Sequence, residues 1–383
     1  MKRIGFDAKR AFFNATGLGN YSRTTIEILL KYSSENEYFA YTPTPKRKLF
    51  DFPFQMYPNV HLRFPRFNAK IYAALWRTYG IHTTIQADKL TIFHGLSNEL
   101  PFSITRTNAK KVVTIHDLIF LRYPESYSFW DRKIHYYKAA FACKHADVIV
   151  AISKQTATDI CHYFPEAKNK VKTIYQSSPK AFRDFVYNSQ TAETIHQKYN
   201  LPERYILYVG SITLRKNVTT LIQAMKTLPE GIALVIAGNG NLKKEILQAI
   251  SLFSLTNRVQ VFSEVTDLEL PYLYKAAFVF VYPSVFEGFG LPIQEALLSG
   301  TPVIAGNNSC FEEAGGGGGI YINQQNPNEI AAAVMKIHTD SALSESLVLK
   351  GKLHLEQFAE EKIAQEYEEM YEKLCGEIPT SVL

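Results

Sequence analysis

The chain reads as an α/β protein of two doubly wound domains, and three observations lead there. Its 383 residues exceed what one ordinary hydrophobic core holds, which favours two domains of roughly 150–200 residues each. Short β-rich apolar runs alternate with helical patterns along the chain, and the alternation restarts after a polar stretch near the middle. The third observation is one organising stretch, V-Y-P-S-V-F-E-G-F-G-L-P-I-Q-E-A-L-L-S-G-T-P-V, over residues 281–303.

In that stretch an apolar strand (residues 278–282) ends in a Pro-Ser turn. The loop Gly288-Phe289-Gly290 follows, and Pro292 stands in the first turn of a helix that stops at Gly300. Strand, glycine loop and helix N-terminus in that order make an anion site. The amides of Gly290 and Leu291 would face the bound group with the helix dipole behind them, and diphosphate is the expected occupant. Glu287 lies at the loop entrance and Glu295 one turn inside the helix, so both read as clamps for hydroxyl groups.

Taken from the start, residues 4–7 form a strand, T-G-L-G-N-Y (residues 16–21) a glycine loop, and residues 22–31 an amphipathic helix. Gly17 and Gly19 let backbone amides approach a phosphate or an acceptor there, although a plain turn explains the pattern equally well. Residues 41–66, with Lys46, Arg47 and Lys48, read as surface loops around short strands. Residues 68–86 are helical, with Ile71, Leu75, Trp76 and Tyr79 on one side. Packing against a sheet is favoured for that side over contact with a membrane interface. Strands at residues 90–93 and 111–115 end in His94-Gly95 and His116-Asp117. Ligands bind outside the carboxyl ends of strands in such sheets, so these polar residues are candidates; Asp117 reads as fixing a loop or a histidine tautomer. A helix (134–144), a strand (147–151), Ser153 as an N-cap and a strand (171–175) complete the first half. The interdomain linker is expected over residues 176–202.

The second half opens with a strand at residues 205–209 that meets G-S-I-T-L-R-K-N, beginning at Gly210. Arg215 and Lys216, between a strand end and a helix, suit a diphosphate: arginine binds it bidentately and lysine acts as a point charge. G-N-G-N-L (residues 238–242) lacks the third glycine of a dinucleotide fingerprint and reads as a turn near the base. Helices at 242–252 and 268–275 and strands at 233–237, 259–262, 302–305 and 320–322 continue the alternation, and Glu312-Glu313 begins a short helix. Gly315 to Gly319 read as a flexible loop, and residues 359–374 as a final amphipathic helix.

The net charge of +6 hides an asymmetry: residues 1–180 carry 27 Lys and Arg against 13 Asp and Glu, and the remainder 15 against 23. The basic half suits an anionic partner, either a membrane surface or a lipid-linked phosphate, although ordinary solvated surface explains the asymmetry equally well. Its basic residues are too dispersed to suggest nucleic acid. No apolar window approaches ~18 residues, and the first residues read as a strand rather than a signal region, so a cytoplasmic protein with peripheral contact at the inner membrane face is expected. Four scattered cysteines, without zinc spacing, read as buried thiols.

These motifs resemble those of the retaining glycosyltransferases of the family 4 type. The family's E-x7-E element, E-G-F-G-L-P-x-x-E-A, stands letter for letter over residues 287–296, and T-G-x-G-x-Y recurs at residues 16–21. The resemblance implies the GT-B fold, with two Rossmann-like domains facing a central cleft. Residues 1–180 would bind the acceptor, residues 181–360 the nucleotide-sugar, and residues 361–383 would pack back on the first domain. It implies metal-independent hexosyl transfer with retention, from a nucleotide-diphosphate sugar to a glycan or lipid-linked acceptor in polysaccharide assembly, with GDP-mannose the first choice. The nucleotide-sugar would be a substrate, and no cofactor is implied. Lys216 and Arg215 would neutralise the leaving diphosphate in place of Mg²⁺, since no D-x-D pair occurs. Glu287 would meet the sugar, Glu295 the ribose and His116 the transferred sugar, with Gly210, Gly288, Phe289, Gly290 and Leu291 around the donor. The chain departs from the family at Gln176-Ser177-Ser178-Pro179, where Asn-Gly is usual. It departs again at Ser211 and Thr213-Leu214, where an arginine or Glu-Pro is usual, which leaves the aim of Arg215 open. A sugar-binding protein without chemistry and a GT-B-type nucleotide-sugar epimerase are the alternatives.

Overall fold

The computed structural model describes residues 1–43, 57–66 and 70–376, with Lys70 described by its backbone alone. The expected loop cations Lys46, Arg47 and Lys48 lie outside the described residues. The chain divides into two compact units. One is Met1–Ser177 together with the C-terminal segment from Phe358, and the other is Ser178–Gln357.

Among its described residues the first unit holds a seven-stranded sheet of β1 (Arg3–Asp7), β2 (Glu37–Tyr41), β3 (Val60–Arg63), β4 (Ile92–Gly95), β5 (Lys110–Ile115), β6 (Val148–Ala151) and β7 (Val171–Thr173), in the order β3-β2-β1-β4-β5-β6-β7. Every pairing is parallel. The second unit holds β8 (Tyr205–Val209), β9 (Ala233–Ala237), β10 (Val259–Phe262), β11 (Val279–Tyr282), β12 (Val303–Gly306) and β13 (Gly319–Ile322), ordered β10-β9-β8-β11-β12-β13 and again parallel throughout. Strands covered on both faces need unbroken apolar runs, and β8 and β11 are buried at every residue. The strand order reverses between β1 and β4 and again between β8 and β11. At such switch points the loops after the strands diverge and leave room for a ligand.

The C-terminal helix Glu360–Cys375 belongs to the first unit and packs on helix Gly17–Tyr32. Its inner face is fastened by polar contacts in the core. Tyr367 and Tyr21 share a hydroxyl contact of 2.5 Å, and Tyr371 hydrogen-bonds His94 Nδ1 at 2.8 Å. His94 Nε2 meets Thr114 Oγ1 at 2.8 Å. Burial pushes the His94 pKa down to about 3, with the neighbouring His116 adding to the effect, so its ring is neutral and serves as a hydrogen-bonding post.

Several expectations change. Residues 16–21 are not a loop before a helix, because the helix already begins at Gly17. Asn14 Oδ1 accepts from Thr16 N at 2.9 Å and Gly19 N at 3.1 Å and so starts the helix early. A Cβ at Gly19 would fall 1.8 Å from the Asn14 carbonyl oxygen, whereas Gly17 has open space. The stretch expected to be linker contains helix Ser189–Tyr199. Gly315 to Gly319 are not a flexible loop; they end helix Phe311–Gly315, form a 3-10 turn and enter β13. A Cβ at Gly318 would meet Gly351 Cα at 2.6 Å, so these glycines let helix Ser341–Leu355 approach closely. Of the apolar residues placed on one side of residues 68–86, only Trp76 is buried; Ile71, Leu75 and Tyr79 are exposed. The π-turn Trp76–Gly80 between Lys70–Leu75 and Ile81–Ala87 keeps Ala73, Trp76, Ile81 and Ile85 inward instead.

Candidate active site

The site of the second unit is built at its switch point, where the loops after β8 and β11 meet. β8 is followed by Gly210, whose φ of +144° suits glycine, and then by a one-turn 3-10 helix, Leu214–Lys216. The carbonyl of Arg215 accepts from the Val285 amide at 2.8 Å, tying this turn to the loop after β11. Asn217, in the left-handed region at φ +55°, reverses the chain into helix Val218–Met225 and donates through Nδ2 to the Gln324 carbonyl at 2.8 Å.

These ties bring five charged or hydroxyl groups together. Glu287 Oε1 lies 2.6 Å from Arg215 Nη1 and 2.7 Å from Lys216 Nζ, and it accepts from Ser284 Oγ. The Arg215 guanidinium also donates to the Phe286 carbonyl, so its aim is into the same cluster as Lys216. Lys216 Nζ donates to Tyr282 Oη at 2.6 Å and stands 4.9 Å from the centre of that ring. Burial lowers the pKa of Lys216, and Arg215 adds to the fall while Glu287 opposes it. For Glu287, burial is the largest influence and acts upward. The charges of Lys216 and Arg215, with hydrogen bonds from Lys216 and Ser284, outweigh it and hold the carboxyl below its usual range.

Behind Glu287, Ser309 Oγ accepts from the Glu287 amide at 3.2 Å and donates to its carbonyl at 2.9 Å; the Cys310 thiol donates to the Phe289 carbonyl at 2.6 Å. Phe289 is 2% exposed, so its ring packs into the interior rather than facing a ligand. Gly290, at φ +113°, turns the chain into helix Leu291–Leu298, with Pro292 in its first turn. Glu295 stands apart from the Glu287 cluster and accepts from Tyr274 Oη at 3.0 Å. Burial raises its pKa to about 7, opposed by the Tyr274 hydrogen bond and by Lys216.

In the first unit His116 follows β5 directly. Its amide donates to Asn98 Oδ1 at 2.7 Å, and Nε2 donates to the Leu96 carbonyl at 2.9 Å. That bond fixes the tautomer and leaves Nδ1 an acceptor. The Tyr21 ring meets the imidazole edge-on at 4.5 Å. Burial lowers its pKa to about 4, against the Leu96 bond and with help from Arg10, so His116 is neutral near pH 7. Asp117 Oδ1 accepts from the Ile119 amide at 3.1 Å and thus fixes the following turn.

The structure therefore gathers Arg215, Lys216 and Glu287, with Gly210, Gly288 and Gly290 in the loops around them and Leu291 opening the helix that follows. Tyr282, Ser284 and Tyr274 escaped sequence reasoning. Ser284 carried a signal, a serine in the Pro-Ser turn three residues before Glu287; the two tyrosines read as core.

Two parallel-sheet, Rossmann-like units with such a site define the GT-B glycosyltransferases. The description "Glycosyltransferase Family 4" matches residues 20–177 and "Glycosyl transferases group 1" matches residues 191–354, and the chain belongs to the family 4-type glycosyltransferases. It is similar to O-antigen chain mannosyltransferase B of Escherichia coli, 29% identical over 70% of each chain. It is also 29% identical to the serotype-specific mannosyltransferase WbdA of Escherichia coli over 67% of this chain, a match spanning 33% of that longer protein. Sucrose-phosphate synthase from Thermosynechococcus elongatus shares the fold, with a TM-score of 0.78 at 21% identity over 98% of this chain and 100% of that one. So does Anabaena HepE, solved with UDP and glucose, with a TM-score of 0.73 at 17% identity over 97% of this chain and 100% of that one.

Proposed function

We propose that the protein transfers mannose, with retention and without a metal, from a nucleotide-diphosphate donor, GDP-mannose first, to a glycan or lipid-linked acceptor. The observation that carries this is the cluster in which two cations share one carboxylate oxygen, 2.6 and 2.7 Å away. Two positive charges against one negative leave a net charge of +1 beside a helix N-terminus. This is the arrangement that stabilises charge growing on a departing diphosphate. Lys216 and Arg215 take the phosphate oxygens. Glu287, freed from part of its pairing, turns to the sugar and to the positive charge developing at the anomeric carbon.

Glu295 takes the ribose hydroxyls, which its carboxylate form accepts. On the first unit, neutral His116 offers Nδ1 to a hydroxyl, and the unit binds the acceptor. Mannose is supported by the two mannosyltransferases among the relatives. The basic first half adds peripheral contact with an anionic membrane, where a lipid-linked acceptor would be met. The test is incubation with GDP-mannose and UDP- and ADP-sugars, with EDTA, in the presence of lipid-linked and soluble mannosides. An α-configured mannoside formed under EDTA is expected. A β-linked product, activity lost with EDTA and restored by a divalent cation, or no transfer from any donor contradicts the corresponding part.

A further inference from the structure

Ser309, in the loop after β12, is held in the left-handed region at φ +64°, where a residue with a Cβ is strained. The loop that holds it there is firmly anchored. The Asn307 amide donates to the Ile322 carbonyl at 2.8 Å, and Gln324 Nε2 donates to Asn308 Oδ1 at 3.1 Å. The Gln324 carbonyl also takes the Asn217 side chain, which fixes this loop to the turn carrying Lys216. Strain that a loop is built to keep directs attention to what the strained residue holds.

What Ser309 and its neighbour hold is the backbone around Glu287. The peptide unit from Phe286 to Glu287 gives its carbonyl to the Arg215 guanidinium and its amide, at 3.2 Å, to Ser309 Oγ, so it is gripped from both sides. Ser309 Oγ donates in turn to the Glu287 carbonyl at 2.9 Å. The Cys310 thiol has one hydrogen to give and lies 2.6 Å from the Phe289 carbonyl and 3.3 Å from that of Glu287, so the bond goes to Phe289. Burial pushes the Cys310 pKa well above the usual thiol value, and the Glu287 charge adds to the rise while a hydrogen bond with Ser309 opposes it; the thiol keeps its hydrogen near pH 7. The Phe289 carbonyl and the Gly290 amide belong to one planar trans peptide, whose C=O and N–H point in opposite directions. Holding that carbonyl therefore aims the Gly290 amide away from Cys310, at the start of helix Leu291–Leu298.

We propose that Ser309 and Cys310 are positioning residues for the transfer: Ser309 fixes the backbone that carries the Glu287 carboxylate, and Cys310 aims the Gly290 amide at the diphosphate of the donor. The inference rests on the diphosphate site of the proposed function and adds two residues that act through others. The plain alternative is that both side chains only satisfy buried backbone groups. The two readings part on what removal does. Lost satisfaction lowers stability, whereas lost aim lowers turnover or phosphate-dependent binding in a protein that remains stable.

Wild type, Ser309→Gly, Cys310→Ala and Cys310→Ser are compared by thermal unfolding, by transfer from GDP-mannose, and by calorimetric titration with GDP, UDP and ADP, their nucleosides and inorganic pyrophosphate. Ser309→Gly removes the hydroxyl together with the strain, because glycine accepts φ +64°. Its Tm should stay level or rise while kcat falls roughly tenfold and KM for the donor stays within about twofold. Cys310→Ala should weaken nucleoside diphosphate and pyrophosphate binding roughly tenfold and leave nucleoside binding within about twofold, and Cys310→Ser, which keeps a donor at the same place, should restore the loss. Ser309→Gly that turns over at the wild-type rate overturns the proposal. So does Cys310→Ala that binds diphosphate as tightly as wild type or loses nucleoside and diphosphate affinity alike, and so does a cooperatively folded Cys310→Ser that fails to restore binding. Those results leave the diphosphate site standing. Wild type that binds none of the diphosphates removes the site itself, and this inference with it.

Discussion

Replacing Glu287 by glutamine separates the two roles of its carboxylate. Oε1 neutralises Arg215 at 2.6 Å and Lys216 at 2.7 Å, so Glu287→Gln leaves two partly buried cations without a counter-charge. Breaking a fully buried pair costs about 3–5 kcal/mol. The Arg215 side chain keeps 22% of its exposure, so about 2–3 kcal/mol is expected here. For a unit of this size that is a fall in Tm of roughly 5–10 °C.

A nucleoside diphosphate would supply the missing negative charge. A carboxylate about 5 Å from a phosphate repels it by about 3 kcal/mol at an effective dielectric of about 20. Solvent at the rim trims that to about 1–2 kcal/mol, roughly a tenfold gain in affinity when the carboxylate is removed. Calorimetric titration of GDP and UDP into wild type and Glu287→Gln should therefore show tighter diphosphate binding by the variant. Its Tm should also rise more on adding ligand, while turnover falls by at least 10²-fold. Diphosphate binding that is unchanged or weaker in Glu287→Gln would refute the idea that this carboxylate competes with the diphosphate for the same two cations.

Other outcomes follow from the same structure. Burial raises Glu295 to about 7, so between its unfolded value, about 4.3, and 7 the folded protein binds more protons than the unfolded chain, and stability falls as pH rises through that window. Glu295→Gln should flatten the fall, and nucleotide affinity, which uses the carboxylate, should drop below about pH 7 in wild type only. Gly318→Ala should lower Tm by the equivalent of about 1–3 kcal/mol, because its Cβ would sit 2.6 Å from Gly351 Cα. Gly231→Ala, with open space around it, should change Tm by less than about 1 °C. Tyr371→Phe leaves His94 Nδ1 without its 2.8 Å partner in a dry core and should cost about 1–3 kcal/mol in denaturant unfolding, without altering nucleotide binding by the second unit.

What the sequence revealed of this fold and site, and what it concealed, have separate physical causes. Parallel strands buried on both faces write themselves as apolar runs, so β8 and β11 and the loops after them were legible, and with them Gly210, Lys216, Glu287 and Gly290. The pairing of Glu287 with both cations was not, because it depends on how two loops 70 residues apart are tied, here by the Arg215 carbonyl and the Val285 amide. Gly315 to Gly319 looked like a flexible loop because composition shows the entropy cost of glycine. It hides the approach of a distant helix that only glycine permits. Apolar spacing on residues 71–79 suggested a face packed inward; only Trp76 of the named residues is buried, and Ile71, Leu75 and Tyr79 face outward. Hydrophobic periodicity reports that a face is apolar and says nothing about what covers it.

The central claim is that Arg215 and Lys216 form the diphosphate site of this glycosyltransferase. Its most direct test is a thermal-shift series with guanosine, GMP, GDP and GDP-mannose, and their uridine and adenosine counterparts, on wild type and Lys216→Ala. One base should stabilise wild type by several degrees as the diphosphate and hardly at all as the nucleoside, and Lys216→Ala should lose that stabilisation while unfolding cooperatively on its own. Equal shifts from nucleoside and diphosphate, or a diphosphate shift that survives in Lys216→Ala, would contradict it.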